Sequence, residues 1–421
     1  MKLINLNKLF YIGILIYLVY ASSSAFASTA SPAALSYLIQ EAVQSNPQIK
    51  AARERWLAAK DVIPQSRSLP DPKVDLGYIH MTGNNPMDVD PRREQMIGVS
   101  QEIPFPAKLY VRGKAATLDA KRIEAEYHTI RLTIIAQLKR IYYDLYLVNK
   151  SIEIFQNNQL LLDKIERSAR VNYSVGKAPQ QDIYRAQTEI SRLLMRLVML
   201  RQERASLEAD INRLLNRPLD ITISTPSKLS ITPLGFDLNK FYRLVDLQSP
   251  QLNAQQKNVE KSNQEIRLSK LDYYPDIEIG AGRLRDTAMG TQGYQVMLTA
   301  TIPLYFASKQ NYAVREKLAR YNADIEDLYS THRDLSFQVK NAFLLAQRSA
   351  QLIHLIQYTI IPQATLTFRS SQANYGVGKV DFLTLLNNLL TLQDNELELH
   401  GEIVQHEKAI AQLEEITGVT L

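Results

Sequence analysis

The chain has 421 residues, a formal net charge of +6 and no cysteine. The length is ample for a large core, and the absence of cysteine excludes disulfide bonds and an acylated N-terminal cysteine. The charge is the small difference between 49 basic and 43 acidic residues spread along the chain, which excludes the concentrated basic surface of a nucleic-acid-binding protein.

The first 27 residues are predicted to form a secretory signal peptide. Lys2 and Lys8 precede an apolar run at 9–20, and small residues end the segment at Ala25 to Ala27, which are the three regions of such a signal. A membrane anchor is the alternative, but about twelve apolar residues are too few to cross about 30 Å of hydrocarbon. We therefore expect export and a mature chain that begins at Ser28.

The next elements are a helix and a β-hairpin. Helical periodicity predicts one helix over 35–67, which the prolines at 70 and 72 end. Apolar and polar residues then alternate at about 72–81 and again at about 95–103, the period of a strand with one apolar face. The polar, turn-rich residues 82–93 are predicted to form a long loop between these strands.

A long helical hairpin follows. Residues 107–171 contain a single glycine near their start and no proline, and an unbroken helix of that length would reach about 97 Å. The sequence NYSVGK at 172–177 interrupts it, and a second helix is predicted over 181–216. Because the helices at 35–67 and 181–216 together match the long helix, we expect them to lie end to end beside it.

The second half of the chain repeats this order. Strands are predicted at about 276–284 and 294–303, a long helix at 307–372, a turn in NYGVGK at 374–379, and a last helix at 381–417. Equivalent positions lie about 200 residues apart, the mark of an internal repeat. We assign one repeat to 28–220, with its tip at about 172–180, and the other to 237–418, with its tip at about 374–380.

Four strands of membrane-crossing length cannot form a closed barrel alone. An open sheet edge in lipid leaves backbone groups without hydrogen bonds, and single-chain barrels have at least eight strands. Three copies of the chain would supply twelve strands and six hairpins. A soluble coiled-coil rod with two small hairpins is the alternative, but it does not account for both the signal peptide and the alternating strands.

The motifs that repeat in this way resemble those of one family. They are NYSVGKAPQQDIYRAQTEI, NYGVGKVDFLTLLNNLLTLQ, QEIPFP and the terminal AIAQLEEITG. From about residue 35 to 418, the chain resembles the TolC-like outer-membrane efflux proteins, and the region around the second turn is similar to their CzcC-like, heavy-metal branch. Many relatives carry a lipid on an N-terminal cysteine, which this chain lacks.

The resemblance implies a mainly α fold with a membrane β-barrel. It implies a homotrimer in the outer membrane of a Gram-negative bacterium, with a twelve-stranded barrel continued by an α-helical barrel in the periplasm. It also implies two partners, a periplasmic adaptor and an inner-membrane RND pump, with the two turns as adaptor-binding tips. By position, the first tip contains Tyr173, Val175, Gly176, Lys177 and Asp182, and the second contains Tyr375, Val377, Gly378, Lys379 and Asp381.

Each tip residue also has a structural interpretation. The glycines allow the left-handed backbone that often ends a helix, and Asp182 and Asp381 stand where an N-cap or first-turn carboxylate would satisfy free amides. Pro362 has no counterpart in the first repeat, and we expect it to bend the second hairpin. It is either the hinge of a gate or a static bend that the curvature of the tube requires.

The sequence predicts no catalytic residues, no metal site and no cofactor. The six histidines, at 80, 128, 332, 354, 400 and 406, are scattered, and Glu402 with His406 would supply only two ligands. Serine-nucleophile, phosphate-loop and zinc-protease motifs are absent. The function we predict is a passive exit duct, for heavy-metal cations by resemblance; drug efflux, type I protein secretion, a periplasmic adaptor and a structural coiled coil are the alternatives.

Overall fold

A computed structural model describes residues 35–80, 93–287 and 290–420 of the chain. The predicted signal peptide at 1–27 lies outside these residues, as does the predicted loop at 82–93 except for its last residue.

The described chain is mainly α-helical, as predicted, with one four-stranded sheet. The first half contains α1 (Leu35–Ser45), α2 (Pro47–Arg67), β1 (Lys73–His80), β2 (Arg93–Ile103), α3 (Pro106–Ser174) and α4 (Gln181–Leu215). The second half contains α5 (Leu238–Gln248), α6 (Pro250–Leu271), β3 (Asp276–Asp286), β4 (Gln292–Thr301), α7 (Gln310–Leu355), a π-helical turn (Ile356–Ile360), α8 (Ile361–Gly376) and α9 (Phe382–Thr417). Both halves run through the same order of elements. Within the described residues, no helix combines the length and the apolarity that are needed to cross a membrane.

The prediction of one helix over 35–67 is wrong, because the chain breaks at Asn46. Its side-chain Oδ1 accepts hydrogen bonds from the amides of Gln48 and Ile49, at 2.8 and 3.3 Å, and Pro47 is the first residue of α2. Proline cannot donate the hydrogen bond that would continue α1, and its fixed φ suits the start of a helix. The predicted helix is therefore two helices, α1 and α2, with Asn46 as the N-cap of the second.

The sheet is antiparallel, with strand order β1-β2-β3-β4. The pairing of β2 with β3 joins the two halves of the chain, and β1 and β4 are the edges. One face is apolar and exposed to solvent in the single chain; it includes Val74, Leu76, Ile97, Val99, Ile277, Ile279, Val296 and Leu298. Such a face needs a non-aqueous neighbour, because exposed apolar area on this scale is unfavourable in water.

The long helix α3 organises the helical part. Its 69 residues correspond to about 104 Å, and α2 and α4 both pack along it. The hydroxyl of Ser45 donates to the carbonyl of Leu215 (2.7 Å), and the Asn46 side chain donates to the carbonyl of Leu214 (2.9 Å). The end of α1 therefore meets the end of α4, which confirms the end-to-end arrangement of shorter helices beside the long one.

Away from the sheet, the helices lie side by side in the order α4-α3-α9-α8. A continuous apolar core joins them, including Phe155, Leu162, Leu193, Phe368 and Leu389. One buried polar pair crosses this core, with the Asn158 amide donating to the Gln393 side-chain oxygen at 3.1 Å. In this part of the described chain, α4 and α8 therefore form the two edges, as β1 and β4 do in the sheet.

Candidate functional site: the two hairpin tips

Both hairpins end in the same backbone turn. In the first tip (172–182), Gly176 has φ +70° and Lys177 N–H donates to the Asn172 carbonyl at 2.8 Å. In the second tip (374–382), Gly378 has φ +77° and Lys379 N–H donates to the Asn374 carbonyl at 2.9 Å. This is the Schellman motif. A left-handed residue turns the chain at the end of the helix, and the amides that follow donate hydrogen bonds to the free carbonyls of the last turn. The VGK sequence therefore occurs twice because both turns need a glycine with this left-handed backbone.

The two aspartates start their helices differently. Asp381 is the N-cap of α9, and its side chain accepts a hydrogen bond from the Thr384 amide at 2.6 Å. Asp182 is the second residue of α4 and lies in its first turn. Of the two positions predicted for these carboxylates, Asp381 thus takes the N-cap and Asp182 the first turn.

The structure places the two tips side by side. A cleft of about 540 Å³ between them is lined from the first tip by Lys177, Asp182 and the following Arg185, and from the second by Tyr375, Lys379 and Asp381. With Gly378, which also lines it, six of the ten predicted tip residues share this cleft.

The two tyrosines of the NY motif have different positions. Tyr173 is 45 % exposed, whereas Tyr375 is 5 % exposed and packs edge-to-face on Phe382, with ring centroids 5.9 Å apart. Tyr375 belongs to the apolar core that also contains Ile183 and Ala186 of the first hairpin. It therefore holds the second tip against the first, while Tyr173 faces outward.

The pKa values of the two tip aspartates, Asp182 and Asp381, are shifted in opposite directions. Burial raises the pKa of Asp182 above its ordinary value of 3.8; the Arg185 guanidinium opposes this shift and the Asp381 charge adds to it. The amide of Thr384 lowers the pKa of Asp381. Burial and the nearby Asp182 charge raise the pKa of the Tyr375 hydroxyl, against which the Asn172 side chain acts. Keeping the buried Asp182 carboxylate ionised therefore destabilises the contact between the tips.

The outermost surface of the tips is small and apolar with flanking lysines. Val175 and Val377 are 59 % and 65 % exposed, and Lys177 and Lys379 are exposed beside them. No atom lies within 4 Å of a Cβ built on Gly176 or Gly378. The two glycines are thus required by the backbone angle alone, and they leave the valines open to a partner.

Pro362 is exposed and is the second residue of α8, which follows the π-turn. The amide of Ile361 bonds to the carbonyl of Ile356, five residues back rather than four. One extra residue is thereby inserted into the helix just before the proline. The sequence did not predict this π-turn, and the bend expected at Pro362 stays a prediction.

The histidines and carboxylates form no metal site in the described part of the chain, where no group of three or more potential ligands is placed to hold an ion. The buried His406 ring has its nitrogens 3.0 Å from the Ala346 carbonyl and 2.8 Å from the Thr232 carbonyl. Glu402 instead accepts from the Ser349 hydroxyl at 2.6 Å. These two residues, four apart on α9, thus have separate structural partners.

Sequence reasoning missed two contacts. It did not bring Asp182 and Tyr375 together, since they lie in different repeats and no spacing rule links them. It also missed the segment between α4 and α5, where the Thr232 amide and hydroxyl both donate to the buried Glu407 carboxylate of α9, at 2.7 and 2.9 Å. A buried glutamate at a core position of α9 was the available signal.

The chain was compared with known protein families, proteins and structures. The pattern of the family described as outer membrane efflux protein matches residues 38–217 and again 242–419. Outer membrane protein TolC of Vibrio cholerae is 19 % identical over 91 % of this chain and 90 % of that protein. Cobalt-zinc-cadmium resistance protein CzcC of Cupriavidus metallidurans is 18 % identical, over 92 % of this chain and 91 % of CzcC.

Solved structures share the fold. The outer membrane protein VceC of Vibrio cholerae superposes with a TM-score of 0.79 at 16 % identity, covering 92 % of this chain and 96 % of VceC. CusC gives a TM-score of 0.79 at 14 % identity, covering 91 % of each chain. The repeated hairpins, the four-stranded sheet and these matches agree. The chain therefore belongs to the outer membrane efflux protein family, and it is an outer-membrane channel with a helical extension into the periplasm, not an enzyme.

Proposed function

We propose that the protein is the exit duct of a tripartite, RND-type exporter and that its cargo is heavy-metal cations. The assignment of the cargo is based on the similarity to CzcC. That protein is named for cobalt, zinc and cadmium resistance, and it aligns over nine-tenths of both chains. TolC aligns equally well, so the polar face of the sheet supplies a second, independent argument.

That face is strongly acidic. Strand pairing places six carboxylates and a single lysine on it in the described strands: Asp75, Glu94, Glu102, Asp276, Glu278 and Asp286, with Lys73. The Lys73 ammonium lies 3.8 Å from Glu102 and 3.5 Å from Glu278, and the Lys108 ammonium lies 2.8 Å from Asp276, so these two lysines neutralise part of the charge. A water-filled passage lined in this way concentrates cations and repels anions.

The duct would be closed by three copies of the chain. β1 and β4 have unpaired edges, and the apolar face of the sheet matches the lipid side of a membrane strand. Three sheets supply twelve strands, and the edge helices α4 and α8 would close the helical part in the same way. The small and apolar tips, repeated six times around the ring, suit many weak contacts with a periplasmic adaptor that act together.

Deletion of the gene tests the cargo. We expect increased sensitivity to cobalt, zinc, cadmium or copper salts, restored by the full-length protein from a plasmid, with unchanged sensitivity to dyes and detergents. Sensitivity to dyes and detergents alone would contradict the proposal and favour the alternative of drug efflux. Loss of one secreted protein from the medium, with neither sensitivity changed, would favour type I secretion.

A further inference from the structure

Two uncharged stripes run along the edge helices. On α7 and α8 the stripe consists of Phe337, Leu344, Gln351, Tyr358 and Leu366, all exposed. On α4 it consists of Tyr184, Ser191, Val198 and Ala205 at seven-residue spacing, with Met195 and Met199 beside Val198. Most other exposed positions on α4 carry charge, among them Arg185, Arg192 and Arg196. An uncharged, partly apolar stripe on a charged helix marks a contact surface.

The π-turn keeps the first stripe on one face. Residues seven apart on an α-helix return to nearly the same direction, whereas an extra residue would rotate the next position by about 100°. From Gln351 to Leu366 the stripe takes fifteen residues rather than fourteen, and the π-turn that lies between them adds one residue. Leu366 therefore stays in line with Phe337 and Leu344.

The apolar parts of the two stripes lie at the same height. The two tips lie side by side, so distance along each helix can be counted from the helix end at its tip, which is Gln181 for α4 and Gly376 for α8. Val198 lies 17 residues into α4 and Tyr358 lies 18 residues before the end of α8, which places them about 26 and 27 Å from the tips.

A cleft opens beside Tyr358. It has a volume of about 710 Å³ and is lined by Tyr358, Gln357, Leu229, Ser230, His400 and Ile403. Met195, Val198 and Met199 are 59 %, 64 % and 63 % exposed, and Tyr358 is 65 % exposed. Methionine is unbranched and fills irregular clefts, and its sulfur packs favourably against aromatic rings.

We propose that Met195, Val198 and Met199 of one copy of this chain dock against Tyr358 and the π-turn of the next copy. The occupant of the cleft is thus a methionine side chain of a second copy, and the π-turn is the element that aligns the seam. This inference rests on the proposed trimer and specifies its register.

Cysteine cross-linking tests the register, because the natural chain contains no cysteine. Val198→Cys with Tyr358→Cys, in the full-length protein in outer membranes, is expected to give covalent dimers and trimers on mild oxidation, since a disulfide needs Cα atoms about 4.4–6.8 Å apart. The matched control is Ala205→Cys with Tyr358→Cys, on the same stripe but about 10 Å further along α4. Each single-cysteine variant serves as a background control.

The outcomes separate the two proposals. Cross-linking of the 198–358 pair, at least about tenfold above the 205–358 pair, supports the seam. A trimer on a native gel without that cross-link, or with stronger cross-linking of the 205–358 pair, overturns the seam and leaves the duct intact. A monomer on the native gel overturns the trimeric duct itself. Heat-dependent gel mobility of each variant shows that its barrel has folded.

Discussion

At the scale of single residues, the tips show how one sequence motif can have two surroundings. Tyr173 and Tyr375 occupy the same place in NYxVGK, yet one is half exposed and the other is buried between the hairpins. The glycines have the same left-handed backbone in both tips, because local hydrogen bonds set it. Backbone conformation was therefore readable from the sequence, whereas side-chain burial depended on which neighbour each hairpin has.

Replacing Gly176 and Gly378 with alanine is expected to destabilise the tips. A left-handed backbone costs a residue with a Cβ roughly 1–2 kcal/mol, and both glycines have positive φ. We expect metal tolerance of the complemented deletion strain to fall while the amount of trimer is unchanged. Gly376→Ala is the matched control, since Gly376 ends α8 with an ordinary helical backbone; an equal loss there would refute the backbone argument.

Asp182→Asn is expected to tighten the contact between the tips at neutral pH. Because the pKa of Asp182 is raised in the folded state, the folded tip binds the proton more tightly than the unfolded chain does. Stability at this site therefore falls as pH rises from about 3.8 through the raised pKa, and asparagine removes that penalty. Hydrogen exchange of the amides at 172–186 and 374–386, in a series from pH 7 down to pH 3, measures the effect.

In that experiment the wild type should exchange more slowly below the raised pKa of Asp182 than at pH 7, after correction for the intrinsic rate, and Asp182→Asn should lose this difference. Asp381→Ala is the control with the opposite sign. The lowered pKa of Asp381 means that its stabilising cap is present above about pH 4 and lost as the pH falls through the lowered pKa. Equal pH dependence in wild type and Asp182→Asn would contradict the interpretation.

At the scale of elements, the helices show where periodicity succeeds and where it fails. The long hairpins and the alternating run Tyr294 to Ala300 were predicted, because amphipathic periods are local. The break at Asn46 was missed although Asn-Pro is a standard helix start, since the apolar positions continue in phase across it. The π-turn was missed because its five-residue hydrogen bond reflects packing on α9 and leaves no mark on the sequence besides Pro362.

The buried pair Asn158–Gln393 is expected to fix the register of α3 against α9. Asn158→Leu alone leaves the Gln393 amide without its partner and should lower the free energy of unfolding of the helical part by about 1–3 kcal/mol. The double variant Asn158→Leu, Gln393→Leu should recover most of this loss. Urea denaturation followed by circular dichroism measures both, and additive losses in the double-mutant cycle would argue against a coupled pair.

Pro362→Ala tests whether the second hairpin moves. Alanine restores an amide and favours an uninterrupted α-helix, so the π-turn should become less flexible and the leak conductance of the purified channel in planar bilayers should fall. Gln363→Ala, the exposed neighbour on α8, is the control. Unchanged leak conductance in Pro362→Ala would support a static bend instead.

At the scale of the whole molecule, function depends on surfaces that the single chain leaves open. The apolar face of the sheet, the edges β1 and β4 and the stripes on α4 and α8 are all exposed in one copy. The need for further copies followed from the sequence, because four strands cannot close a barrel. Which strand faces carry charge followed only from the pairing register, which placed Glu102 beside Glu278.

Charge changes on the polar face should alter ion selectivity. Removing two carboxylates with Glu102→Gln and Glu278→Gln is expected to reduce the cation-over-anion permeability ratio by roughly two- to tenfold. Lys73→Gln removes the ammonium that lies near both carboxylates and should change the ratio in the opposite direction. Reversal potentials in a salt gradient measure it; an unchanged ratio in all three variants would show that selectivity lies elsewhere in the passage.

The hydrogen bonds between β2 and β3 unite the two halves, and this union has a consequence for symmetry. A half-length ancestor would carry one hairpin and two strands, so six identical subunits would have to assemble in a ring, and all six hairpins would have the same sequence. Fusion of two halves allows the two hairpins of one chain to have different sequences. One hairpin can then change while the other is kept, as the proline and the π-turn found in the second hairpin illustrate.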